Sequence, residues 1–174
     1  MEFINLLQNR RSVRKYTGTP VTEDQLQLIL QAGLLSPTSH NSKPWHFIVI
    51  RDRAMLQYLS DCRVGSAKML ENAACAIAVL GDQDKTVCWT EDCSVALTQM
   101  HLMTEALGLG SCWIQCRLRE APDGRPTEEY VREKLNFPQN LRLEAILSIG
   151  EPDQHPAPHN PDALLTERIH HETF

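Results

Sequence analysis

The chain has 174 residues, of which 42% are hydrophobic and 22% charged, and a net charge of −5. That is ordinary for one globular domain burying about two thirds of its unfolded surface. The acidic balance argues against a nucleic-acid partner, which needs a basic stripe, and no apolar run approaches the roughly 20 residues of a membrane span. Met1–Asn5 shows neither a basic n-region nor an apolar h-region, so a cytoplasmic protein with reduced thiols is expected.

Phe3, Ile4, Leu6 and Leu7 recur at helical spacing and predict a short helix over residues 2–9 that delivers Arg10 to its end. Thr22 to Gln25 reads as a capping box opening a second helix, with Leu26, Ile29, Leu30 and Leu34 on its buried face and Ser36-Pro37 as its stop. The aromatic and β-branched run Trp45–Ile50 predicts a strand, and residues 52–59 a helix. After a brief helical turn at Lys68–Glu71, the apolar run Ala74–Leu80 reads as a central strand buried on both faces. A long helix capped by Thr90 carries Met100 and Met103 on an apolar stripe suited to a core or a dimer interface.

Gly108 and Gly110 end that helix and lead into a strand over residues 111–115. Residues 126–135 predict a helix with proline in its first turn, and residues 141–149 the last strand. From Gly150 onward, four prolines predict an extended tail. Neither G-x-G-x-x-G nor a P-loop occurs, so a doubly wound nucleotide fold is disfavoured. The pattern predicts a single α+β domain over residues 1–174, a three-layer sandwich with a central mixed sheet. The six cysteines form no C-x-x-C pair, and no metal site is expected.

Two segments carry chemistry. Within residues 1–20, Arg10, Arg11, Arg14 and Lys15 stand against Glu2 alone, a local charge of +3 that suits one anion. Guanidinium forks and the Ser12 hydroxyl match a phosphate. The second segment, Pro37-Thr38-Ser39-His40-Asn41, is a polar loop leading into the Trp45 strand. In this order and spacing the two resemble the nitroreductase family of FMN-dependent oxidoreductases, and Gly108-Leu109-Gly110-Ser111-Cys112-Trp113-Ile114 resembles that family's helix-to-strand passage.

The resemblance implies FMN as cofactor, NADH or NADPH as electron donor, and an intertwined homodimer with flavin at the interface. It implies that Arg10, Arg11, Ser12 and Arg14 hold the phosphate and part of the ring, and that Pro37, Thr38, Ser39 and Asn41 reach the flavin from the other subunit. Lys68 falls where some members place a cation at the flavin N1 and O2 edge, although a plain surface lysine fits equally. Ile114, Gln115 and Cys116 approach the ring, and Gln115-Cys116 departs from the Gly or Glu of many relatives. Where members carry a basic pair near the C-terminus, this chain has His159-Asn160-Pro161-Asp162, with Arg168 further on, so FMN affinity is expected to be modest. The tail, residues 150–174, is expected to wrap the partner subunit. The implied activity is ping-pong hydride transfer to nitroaromatics, quinones or related planar acceptors, with no essential side-chain acid or base. The alternatives are a flavin-binding or redox-sensing module with little turnover, and a scaffolding dimer without flavin.

Overall fold

A computed structural model describes residues 2–65 and 67–174. The described residues form five α-helices and four strands: α1 (Phe3–Asn9), α2 (Glu23–Leu34), β1 (Trp45–Ile50), α3 (Arg53–Leu59), β2 (Cys75–Asp82), α4 (Trp89–Ala106), β3 (Gly110–Gln115), α5 (Thr127–Leu135) and β4 (Leu141–Gly150). The strands lie in the order β1-β2-β4-β3, with every neighbouring pair antiparallel. Parallel pairing, expected from a mixed sheet, is confined among the described residues to one bridge between Ser12 and Ser111.

β2 and β4 are central and buried on both faces, which is why each reads as a nearly unbroken apolar run. One face packs Ile77, Val79, Ala145, Leu147 and Ile149 against Leu26 and Ile29 of α2 and Leu97 and Met100 of α4. The other packs Ala76, Ala78, Leu80, Leu143 and Ile146 against Leu56 and Leu59 of α3, Leu70, and Val131 of α5. The molecule is therefore the three-layer sandwich the pattern predicts.

The capping box is present: Thr22 Oγ1 accepts the Gln25 N–H at 3.2 Å, and Gln25 Oε1 accepts the Thr22 N–H at 3.0 Å. Leu34, expected on the buried face, is 52% exposed, and Gly33 takes the inner position. A Cβ at Gly33 would stand 3.0 Å from Met100 and Phe47, so glycine lets α2 approach α4 closely. The long helix begins at Trp89, one residue before the expected Thr90 cap, after a turn in which Thr86 Oγ1 accepts the Cys88 N–H. Pro126 stands at the N-cap of α5 rather than in its first turn. The tail holds two short 3₁₀ turns, Pro161–Ala163 and Thr166–Arg168, and is exposed from residue 157 onward.

The arginine segment lies along the outer edge of β3. Ser12 bridges Ser111, Tyr16 bridges Pro152, and the Val13 N–H donates to Ser111 O at 2.9 Å. Gly110 and Gly150 face each other across β3 and β4 and make room for this segment. A Cβ on Gly110 would meet Val13 at 2.7 Å, and one on Gly150 would meet Tyr16 at 2.9 Å. Gly110→Ala must push Val13 outward, so a loss of roughly 1–3 kcal/mol is expected from overpacking. Urea unfolding of the variant checks this, and an unchanged midpoint would refute the close approach.

Candidate functional site

Arg10 leaves the end of α1 and points at α4. Its Nη1 donates to His101 Nε2 at 3.0 Å, and its Nη2 lies 3.5 Å from His159 Nε2. Arginine only donates, so His101 Nε2 is the acceptor and the proton sits on Nδ1, which meets Ser111 Oγ. Burial, and then the Arg10 charge, push the His101 pKa down to about 4, so the ring is neutral near pH 7. The result is a guanidinium braced from behind by a buried neutral imidazole.

Arg11 donates from Nη1 to Ala157 O, and Arg14 reaches Ser12 O at 3.4 Å. None of Arg10, Arg11 and Arg14 has a carboxylate partner; every ion pair among the described residues involves other side chains. Three guanidiniums thus crowd one edge of an acidic protein without an internal counter-ion, and their donors suit a dianionic phosphate. Tyr16 fixes the segment from beneath, donating to Val13 O at 2.8 Å and meeting Ser148 Oγ at 2.8 Å. Arg14, Lys15 and Tyr16 also line a pocket of about 540 Å³ with Lys68, Met69, Glu71, Asn72 and Asp153. Lys68 is therefore brought to Arg14. Its ammonium is 2.7 Å from Asp61 and 3.0 Å from Glu71, hydrogen bonds that raise its pKa.

The Pro37–Asn41 loop sits at the other end of α4. Buried Asp92 accepts the Ser39 N–H at 2.8 Å and the Ser42 hydroxyl at 3.2 Å, and Thr38 Oγ1 accepts the Lys43 N–H at 3.2 Å. His40, Asn41 and Lys43 all hold positive φ (50°, 55° and 46°), strain of the kind that collects at ligand-binding loops. The Ser39 hydroxyl and the Asn41 amide are engaged in none of the described hydrogen bonds, which leaves their polar groups available. Asp92 and His101 are nine residues apart on α4, about 14 Å along its axis. Within one chain the loop and the arginine segment therefore approach the same helix from separate places.

Ile114 and Gln115 close β3 at the end remote from Ser12, and Cys116 follows it. Ile114 and Cys116 turn their side chains into the α3–α5 core, and Cys116 also lines a larger pocket of about 960 Å³. Gln115 faces the α4 layer: its Oε1 accepts the Trp113 Nε1–H at 2.8 Å and its Nε2 donates to Glu144 Oε1 at 3.3 Å. Beside it, Arg117 lies over the Trp89 ring with its Cζ 5.7 Å from the centroid. At the stretch where the resemblance expects a basic pair, His159 returns to the arginine segment: its N–H donates to Gln8 O at 2.9 Å and its ring adjoins Arg10.

The motif did not reveal His101, Asp92, Tyr16 or Glu144. His101 stands in the methionine stripe of α4, and its only signal in the sequence is a polar residue at a core position. Asp92 falls in the polar first turn of α4 and Glu144 in the last strand beside Arg142, and neither announces its burial in the sequence.

Residues 7–62 and 56–151 match the model of the nitroreductase family. An Archaeoglobus fulgidus protein with the provisional name NADH dehydrogenase/NAD(P)H nitroreductase is 34% identical over 178 residues, covering 99% of each chain. An FMN-dependent nitroreductase structure from Clostridium difficile R20291 superposes with a TM-score of 0.96 at 39% identity, over 99% of this chain and 100% of that one. A provisionally named nitroreductase from Desulfovibrio desulfuricans, solved in complex with FMN, gives a TM-score of 0.81 at 25% identity over 100% and 98% of the two chains.

Proposed function

The chain belongs to the nitroreductase family, and from that premise we propose that it is an FMN-dependent oxidoreductase drawing electrons from NADH or NADPH. When bound, FMN supplies two-electron exchange between a nicotinamide and an acceptor. The observation that carries the reading is the group of three guanidiniums without counter-ions, one of them braced by His101.

In this reading Arg10, Arg11, Ser12 and Arg14 hold the phosphate and the near edge of the flavin, with Lys68 turning from Asp61 and Glu71 toward the ring. Ser39 and Asn41, kept open by the Asp92 clamp, serve the second subunit's site, as do the neighbouring Pro37 and Thr38. The backbone at Ile114–Cys116 and the Gln115 side chain meet the ring. A homodimer is supported by apolar side chains left in water: Phe3, Ile4 and Leu7 on α1, Leu34 and Leu35 at the end of α2, and Val95 on α4. Nitroaromatics, quinones and related planar acceptors are the proposed substrates, entering the slot the nicotinamide vacates. With His159 in place of an arginine, the phosphate rests mainly on the N-terminal guanidiniums, so affinity for FMN is modest.

The test is an absorbance scan of the purified protein with added FMN, followed by anaerobic addition of NADH or NADPH. Flavin bands that bleach with reductant and return with a quinone are expected. Bound flavin that does not bleach would make the chain a flavin-binding module, and failure to bind FMN would overturn the reading altogether.

A further inference from the structure

Glu144 occupies a β-bulge in the centre of the sheet. Val79 pairs with Ala145 and Leu80 with Leu143, so Glu144 has no opposite partner on β2. Bulges re-aim side chains and recur beside active sites. This one places a carboxylic acid, 4% exposed, where both neighbouring residues are core. An acid buried in this way costs free energy unless it is neutral or well bonded.

Its bonds all run to one segment. Glu144 O accepts the N–H groups of Cys116 at 3.1 Å and Arg117 at 3.0 Å, and Oε1 accepts from Gln115 Nε2 at 3.3 Å. The Gln115 amide is thereby oriented at both ends, oxygen to Trp113 and nitrogen to Glu144. Oε2 is buried without a partner. We propose that Glu144 is a positioning residue: its carboxyl holds the Gln115 amide, and its backbone carbonyl the N–H groups of Cys116 and Arg117, in the arrangement the bound flavin meets at the end of β3. The inference rests on the proposed placement of Gln115 beside the flavin.

The surroundings make the carboxyl harder to ionise than an exposed one. Burial raises the Glu144 pKa first; the Gln115 hydrogen bond and then Arg117 oppose it, and Glu91 of α4 reinforces it. Cys93 of α4 also faces the carboxyl, and burial holds that thiol up at about 12, so it supplies no charge. Ionisation would create a buried anion at Oε2, and Arg117 is the cation acting on it. Drawing Arg117 off Trp89 would disturb the wall it shares with Trp89, Arg63 and Cys116 in the larger pocket.

The experiment follows tryptophan emission and the infrared carbonyl band of protonated carboxyl groups against pH, in FMN-free wild-type protein and in Glu144→Gln. The rate of flavin reduction by NADH is then measured across the same pH range in both loaded proteins. The expected result is a wild-type transition with its midpoint above 4.5, the ordinary value. It should be absent from E144Q, together with a pH step in flavin reduction that E144Q lacks. A midpoint at or below the ordinary value, or a transition that persists in E144Q, overturns the proposal. So does a pH profile of reduction that E144Q leaves unmoved, even where FMN binds and bleaches. If wild type never binds FMN, the oxidoreductase reading falls and with it the positioning role, while the FMN-free titration still decides whether Glu144 titrates above its ordinary value. Glu144→Asp, which keeps the acid but shortens its reach, should retain a transition in emission while displacing the amide of Gln115. An Asp variant that behaves like E144Q would count against titration of this carboxyl.

Discussion

Arg10→Ala is expected to weaken FMN binding about ten- to a hundredfold and to lower the stability of the FMN-free protein as well. The first effect follows from losing charge-assisted hydrogen bonds to phosphate, worth about 1.5–3 kcal/mol, with 1.4 kcal/mol per factor of ten. The second follows from the bond to His101, whose buried Nε2 would lose its donor at a cost of about 1–3 kcal/mol. Arg10→Lys separates charge from geometry, because an ammonium retains the charge but lacks the fork that spans phosphate and imidazole. Arg14→Ala is the contrasting variant: Arg14 is exposed and makes only a 3.4 Å contact with Ser12 O, so affinity should fall with little change in stability. Calorimetric titration with FMN and urea unfolding without it read the two effects independently. Wild-type FMN affinity in R10A would remove Arg10 from the phosphate site, and unchanged unfolding would deny the brace to His101.

Local features of the fold were readable because local physics produces them. The capping box at Thr22–Gln25, the glycines after α4 and the apolar runs of β2 and β4 each express a rule acting within a few residues. The arginine motif was legible for the same reason, its donors lying within five positions. Pairing was not. The order β1-β2-β4-β3 and its antiparallel sense depend on contacts among strands tens of residues apart. Nothing in the Gly150 or Gly110 segments alone announces that they face each other beneath Tyr16 and Val13. The polar residues that complete the site were hidden by burial. His101 is 91 positions from Arg10 and reads along the chain as an imperfection in a helical stripe; Asp92 is 53 from Ser39 and reads as an ordinary acid of a first helical turn. Glu144 reads along the chain as one acid within the last strand, and nothing local announces that it is buried and unpaired at a bulge.

The second large effect is a pH dependence of stability that originates at His101. Its ring accepts from Arg10 and donates to Ser111, so a second ring proton would oppose a guanidinium in a buried site. The folded pKa of about 4 lies below the ordinary 6.5, with burial the larger cause and Arg10 the smaller. The unfolded chain therefore binds this proton first, and stability rises with pH wherever it does. The His101 contribution is present in full above about pH 6.5 and is lost as pH falls toward about 4, on the order of 3 kcal/mol in total. Exposed carboxylates such as Glu23 and Glu133, whose pKa values are lowered by their partners, act in the same direction, whereas Glu144 acts in the opposite one. Only the difference between proteins isolates the histidine. His101→Gln keeps a neutral polar side chain at every pH, so the stability advantage of wild type over this variant should shrink by that amount between neutral and acid pH. Urea unfolding at a series of pH values measures it. A difference that stays constant would mean the ring takes up its proton without penalty, and the brace behind Arg10 would then be an ordinary surface contact.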